Sequence, residues 1–132
     1  MNLKFVIKGE LPTLNEYIGA ERASKFYAAK MKKEATERVF WEIKAQTKHL
    51  TADKIFLTII YYCKNKRKDK DNIAFGKKFI FDGLQKSGVI PNDGWDNVEG
   101  WVEDFKLDKD NPRIEVSVVS SHEPKGGTDE MQ

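Results

Sequence analysis

Histidine and cysteine are scarce in this chain of 132 residues, and their scarcity removes whole classes of chemistry. The one cysteine, Cys63, cannot close an internal disulfide, which fits a reducing cytoplasm. The two histidines, His49 and His122, pair with no cysteine, serine or second histidine, so a zinc site or a histidine-activated nucleophile is not expected and both are read as surface residues. No apolar run approaches the ~20 residues of a membrane-spanning helix, and Met1 to Glu10 lacks the apolar centre of a signal peptide. A glycine-rich phosphate loop followed by Lys-Ser/Thr is also missing, which disfavours a nucleotide cofactor. What remains is the expectation of a soluble, intracellular domain without internal repeats. At this length it can bury roughly two thirds of its unfolded surface.

Net charge is small as well, formally +2, so the sum of charges proves no polyanionic partner. Their distribution says more. Of the seven residues Lys64 to Lys70, five are Lys or Arg. Before that run, Leu3, Phe5 and Ile7 alternate with Lys4 and Lys8, the period of a half-buried strand. A loop from Leu11 to Tyr17 leads to Tyr27, Met31, Ala35, Val39 and Ile43, which recur every four residues and predict an amphipathic helix over 24–48. The continuous apolar and β-branched stretch Ile55 to Cys63 reads as a central strand buried on both faces.

A second helix is predicted from Asp71 or Asn72 to Ser87, with Gly88 in the stop position. After the turn formers Pro91 to Gly94, two more strands are expected at 98–107 and 113–119, joined through Asp110, Asn111 and Pro112. The fold class is therefore α+β, a small sheet with two main helices. The domain is expected to occupy 1–119, and the polar segment 120–132 to be a disordered tail. Trp41, Trp95 and Trp101 are read as core or interface residues.

Three carboxylates carry the candidate chemistry. Asp69 and Asp71 are two apart, and in an extended segment such residues project to one face, where two oxygens can chelate one hard cation. Mg²⁺ takes about six oxygen ligands but commonly only one or two carboxylates, leaving room for water and phosphate. Asp93 is the expected third ligand, on the reasoning that a helix of about fifteen residues returns the chain towards its start. The cationic run would steer phosphates to this centre. Lys78, seven residues after Asp71 and four before Asp82, shares their face of a continuous helix and could neutralise charge on phosphoryl oxygens. Lys77 is rotated about 100° away, into the stripe of Ile73, Ile80 and Leu84. A blander reading stays open, in which Asp71 merely caps a helix in a solvated, charged loop.

The block Asp69-Lys-Asp-Asn72, followed by KKFIFDGL and KSGVIPND ending at Asp93, resembles the RusA family of Holliday junction resolvases in its phage and prophage form. Pro12-Thr-Leu-Asn-Glu-Tyr17 resembles that family's opening P-x-x-N-x-Y. The resemblance spans most of Leu3 to Val119. It implies a homodimer of small mixed-sheet subunits, a bacterial-cytoplasmic setting, and cutting of four-way DNA junctions with Mg²⁺ or Mn²⁺. It puts the metal-binding aspartates at Asp69, Asp71 and Asp93, and counting back four residues from the F-D pair gives Lys78 as the active-site lysine. DNA contacts are expected from Asn15, Lys64, Lys66, Arg67, Lys68, Lys70, Asn72 and Lys77. Phe40, Trp41, Trp95 and Trp101 are candidates for the dimer contact, and a helical contact through Tyr27 to Ile43 is the alternative. Two other classes stay possible, a metal nuclease for a different branched or single-stranded DNA, and a non-catalytic DNA-binding protein.

Overall fold

The computed structural model describes residues 2–120. Strand β1 (Asn2–Lys8) is followed by helices α1 (Leu14–Ala23) and α2 (Lys25–Gln46), strand β2 (Ile55–Cys63), helices α3 (Lys70–Ala74) and α4 (Lys77–Lys86), and strands β3 (Val98–Leu107) and β4 (Arg113–Ser120). The sheet runs β1-β4-β2-β3 and is mixed, with β4 antiparallel to both β1 and β2, and β3 parallel to β2. Although consecutive, β3 and β4 do not pair, because β2 lies between them. The α+β class and the mixed sheet thus stand as expected.

Alternation explains the sheet. In β1 and β4, Leu3, Phe5, Ile7, Ile114, Val116 and Val118 are buried on the same side. They pack with Val39 and Ile43 of α2 and with Phe79, Ile80 and Leu84 of α4 in one core. Strand β2 corrects its reading as buried on both faces. Ile55, Leu57, Ile59, Tyr61 and Cys63 are buried, whereas Phe56, Thr58, Ile60 and Tyr62 are only half-buried. The helices cover one face, and on the other the Arg113 guanidinium lies 3.8 Å from the centre of the Tyr62 ring.

Two helices differ from the sequence reading. The 11–17 loop contains the start of α1, set by a capping box in which Thr13 accepts from the Glu16 N–H and Glu16 accepts from the Thr13 N–H. This helix buries no residue, so it has no apolar period to find. Helix α2 begins one residue after Ser24, its N-cap, and buries Ala28, Ala35, Val39 and Ile43, leaving Tyr27 exposed.

The predicted helix over 71–87 is two helices. The amide of Gly76 bonds back to Ile73 and that of Lys78 to Phe75, three residues each, a tighter winding than the four of an α-helix. Gly76 is buried where a Cβ would stand 3.2 Å from Leu11 Cβ. Helix α4 stops as expected, with Gly88 at φ +83°. It packs closely on α2 through Gly83, where a Cβ would meet Val39 Cγ1 at 2.5 Å. Ser120 belongs to β4, and the remainder of the expected tail, 121–132, lies outside the described residues.

Candidate active site

The C-terminal end of β2 delivers the basic run and then α3. Lys64, Lys66 and Arg67 are exposed there, on a loop braced by the Arg67 N–H donating to Asn65 Oδ1 at 3.0 Å. Asp69 is the N-cap residue of α3, and its side chain makes no capping hydrogen bond. With Lys66, Lys70, Phe105 and Leu107 it lines an open cleft of about 400 Å³. Asp71 is inside the first turn, exposed, with Oδ1 accepting from the Asn72 N–H at 2.9 Å. The extended geometry expected for Asp69 and Asp71 is therefore corrected. Asp69 is extended at φ -71°, ψ 150°, but residues 70–74 are helical, so the two aspartates do not lie along one extended segment: Asp69 stands at the cap of α3 and Asp71 in its first turn.

The two segments singled out by sequence meet here. Asn72 Oδ1 accepts from the Asn15 N–H at 2.9 Å, and Tyr17 packs on Phe75 with ring centroids 5.4 Å apart. Asn15 and Asn72 thus join α1 to α3. At the far end of α3, the Tyr61 hydroxyl donates to the Ala74 carbonyl at 3.5 Å. Burial first, and the Glu103 charge second, push the Tyr61 phenol up, so it remains a neutral donor. Burial likewise pushes the Cys63 thiol up, the opposite of what a nucleophilic cysteine requires.

Several cations of the expected DNA-contacting set have partners within the protein. Lys68 Nζ lies 3.6 Å from Glu10 and 4.0 Å from Glu16. Lys70 sits 5.8 Å from the Phe105 ring centre. Lys77 is half-buried, with Nζ 2.9 Å from Glu103 Oε1, 3.3 Å from the Ala74 carbonyl it donates to, and 5.7 Å from the Trp101 ring. Its contact with Glu103 is a charge contact, since the alignment is outside that of a hydrogen bond. Sequence reasoning missed Glu103. The signal was its place two residues from Trp101 in an alternating strand, on the face that carries the helices.

Lys78 is exposed on α4, and the break at Phe75–Gly76 removes the continuous helix that put it in phase with Asp71. Asp93 is not brought to the other aspartates. Helix α4 runs back along the sheet, so Asp93 falls in the turn before β3, in a cleft with Lys54, Trp95, Val98 and Trp101. Val98 pairs with Ile55 at one end of β2, and Leu107 with Cys63 at the other, the end that bears Asp69. The two ends are roughly 25 Å apart at ~3.3 Å per residue. Among the described residues, no three His, Cys, Asp or Glu side chains converge as a metal site.

None of the three tryptophans is in the core. Trp41 is 65% exposed, Trp95 95% and Trp101 45%, which leaves the interface half of their expectation. Asp108, by contrast, is a structural carboxylate. The Arg113 guanidinium donates to it at 2.7 Å and holds its carboxyl below the usual range.

Compared with known proteins, residues 9–119 match the sequence model of the family described as endodeoxyribonuclease RusA. No curated protein matches the chain.

Proposed function

The chain belongs to the RusA family of endodeoxyribonucleases, and from that premise we propose that it resolves four-way DNA junctions by divalent-metal-dependent hydrolysis of phosphodiesters. The observation that carries this reading is the junction of the two family-like blocks. The Asn15–Asn72 hydrogen bond seats the P-T-L-N segment against the D-K-D-N segment, which follows directly in the chain on the exposed cations Lys64, Lys66 and Arg67. A nuclease needs such a neighbourhood, because phosphate binding and phosphate chemistry must occur within one backbone step.

In this reading the basic loop neutralises phosphates on either side of the cut, giving affinity that falls with salt and carries little sequence information. Lys78 stabilises charge that develops on the phosphoryl oxygens. Asn72 and Asn15 set the position of α3 rather than touching bases. Mg²⁺, or Mn²⁺ in its place, is the proposed cofactor. Yet the donor set of one subunit does not fit a three-carboxylate centre, because Asp69 and Asp71 stand at the start of α3 while Asp93 is at the other end of the sheet.

The direct test is electrophoresis of a synthetic four-way junction beside a linear duplex of the same sequence, with and without Mg²⁺. Cutting confined to the junction and to Mg²⁺ is the expected result. Equal cutting of the duplex would make this a nuclease of another substrate shape, and tight binding without cutting in Mg²⁺ or Mn²⁺ would make it a binding protein.

A further inference from the structure

We infer that the tip of the α1–α2 hairpin is a second DNA-contacting surface, on which Phe26 and Tyr27 stack against bases left uncovered at the branch point while Arg22, Lys25, Lys30 and Lys33 hold the phosphates around them. The inference rests on the functional reading above and adds to it what tells a junction from a linear duplex.

The first argument is placement. Ser24 alone joins the two helices, as C-cap of α1 and N-cap of α2. Helix α1 buries no residue, and among the first ten residues of α2 only Ala28 is buried, so the hairpin stands free of the core. Its helices run antiparallel, with Pro12 and Arg38 at one end of the groove between them and Ala23 and Tyr27 at the other. The tip is not remote from the candidate site. Asn15, whose N–H donates to the side chain of Asn72 next to Asp71, is eight residues before Ala23, about 12 Å along α1. Measured on duplex DNA at ~3.4 Å per pair, that is roughly three to four base pairs.

The second argument is composition. Phe26 is 70% exposed and Tyr27 58%, and their rings meet edge to face with centroids 5.8 Å apart. Between Glu21 and Lys33 stand five cations and one carboxylate, a net +4 where the whole chain carries +2. Among the described residues none of these five cations is in an ion pair, whereas Lys68, Lys77, Lys86 and Arg113 all are. Helical phase puts Lys30 and Lys33 on the same outer face of α2 as Phe26. Exposed rings set among free cations match an unstacked nucleotide, which offers an apolar π-face beside a negative phosphate.

The third argument is order. The Ser24 hydroxyl accepts from the Tyr27 N–H at 3.1 Å, and the Ser24 N–H donates to the Ala20 carbonyl at 3.0 Å. Both helix ends are thereby capped, and the aromatic pair is held in place before DNA arrives, which lowers the entropy cost of stacking on it. Behind the tip, the open groove of about 590 Å³ has Glu16 and Glu34 on its walls, so phosphates are disfavoured inside it and take the outer faces. Selectivity follows from shape. In a linear duplex every base face is covered by the next pair and the tip meets only backbone, whereas stacking is interrupted at a branch point.

Two measurements on the full chain test this, without Mg²⁺ so that binding is read apart from cutting. Affinities for a four-way junction and for a linear duplex of the same sequence are compared between wild type and the double variant Phe26→Ala, Tyr27→Ala. The expected result is a loss of roughly ten- to a hundredfold on the junction, the size of lost base stacking, with duplex affinity within about twofold of wild type. An unchanged junction affinity, or an equal loss on both DNAs, overturns the inference and leaves the nuclease reading intact. A wild type that binds junction and duplex alike overturns the functional reading, and the inference with it.

The second readout is positional. A photoreactive 5-iodouracil at the branch point is expected to crosslink to the tryptic peptide Phe26–Lys30, and the same base placed one helical turn out along an arm is not. Crosslinks confined to other parts of the chain would overturn the placement. A double variant that sediments differently from wild type would make the tip a contact between protein chains, which overturns the inference as well.

Discussion

Asp71→Asn abolishes junction cleavage, by about a thousandfold or more, and leaves junction binding unchanged or tighter. The size follows from what a metal-holding carboxylate contributes when it belongs to a group acting as a unit. The sign of the binding change follows from charge, since a carboxylate held against phosphates repels them until a cation intervenes. The fold survives the change. Asp71 is exposed, and its structural contact is Oδ1 accepting from the Asn72 N–H, an acceptor that the asparagine amide retains. Binding and cleavage measured on one preparation separate the effects, and residual cutting above about a tenth of wild type would remove Asp71 from the site.

Lys78→Ala lowers the cleavage rate by roughly two to three orders of magnitude with little change in stability, and Lys77→Ala does the reverse. Adjacent lysines differ because their surroundings differ. Lys78 is exposed on the first turn of α4, whereas Lys77 compensates Glu103, whose side chain is only 15% exposed. Truncating Lys77 leaves that largely buried carboxylate without its cation, which costs about 1–3 kcal/mol. Thermal unfolding and the rate per folded molecule distinguish the two roles. A Lys77→Ala protein of wild-type stability but lost activity would exchange the assignments.

That comparison shows where sequence reasoning reached and where it stopped. Phase within one continuous helix first singled out Lys78, but the chain winds tightly at Phe75–Gly76 because Gly76 packs against Leu11, more than sixty residues away in sequence. No local pattern encodes that contact. The strands β1 and β4, the extent of α2 and the Gly88 stop were legible because each depends on neighbours within a few residues. Helix α1 left a readable mark in its Thr13–Glu16 capping box, but with nothing buried it had no stripe to reveal it.

Strand order is a different kind of information. Asp93 was expected near Asp69 because a helix reverses the chain, and α4 does reverse it. The reversal is what carries Asp93 along β2 to the far end of the sheet. Similarly, apolar β2 residues look alike whether one face or both are covered, and Trp95, Trp101 and Val102 look like core until the topology leaves them at an open edge. Membership of the endodeoxyribonuclease family was legible in the Asp69–Asp93 block, because that block is short, local and chemically specific.

Resolving a four-way junction takes cuts in two opposed strands, so a supercoiled plasmid that extrudes a cruciform tests the proposed function most directly. Two cuts in opposed strands within the lifetime of one complex convert the circle to a linear product, whereas a single cut releases the supercoil, reabsorbs the cruciform and leaves a nicked circle. Linear DNA as the first product in Mg²⁺ is the predicted result. Accumulation of nicked circles alone, with enzyme in excess, would contradict it.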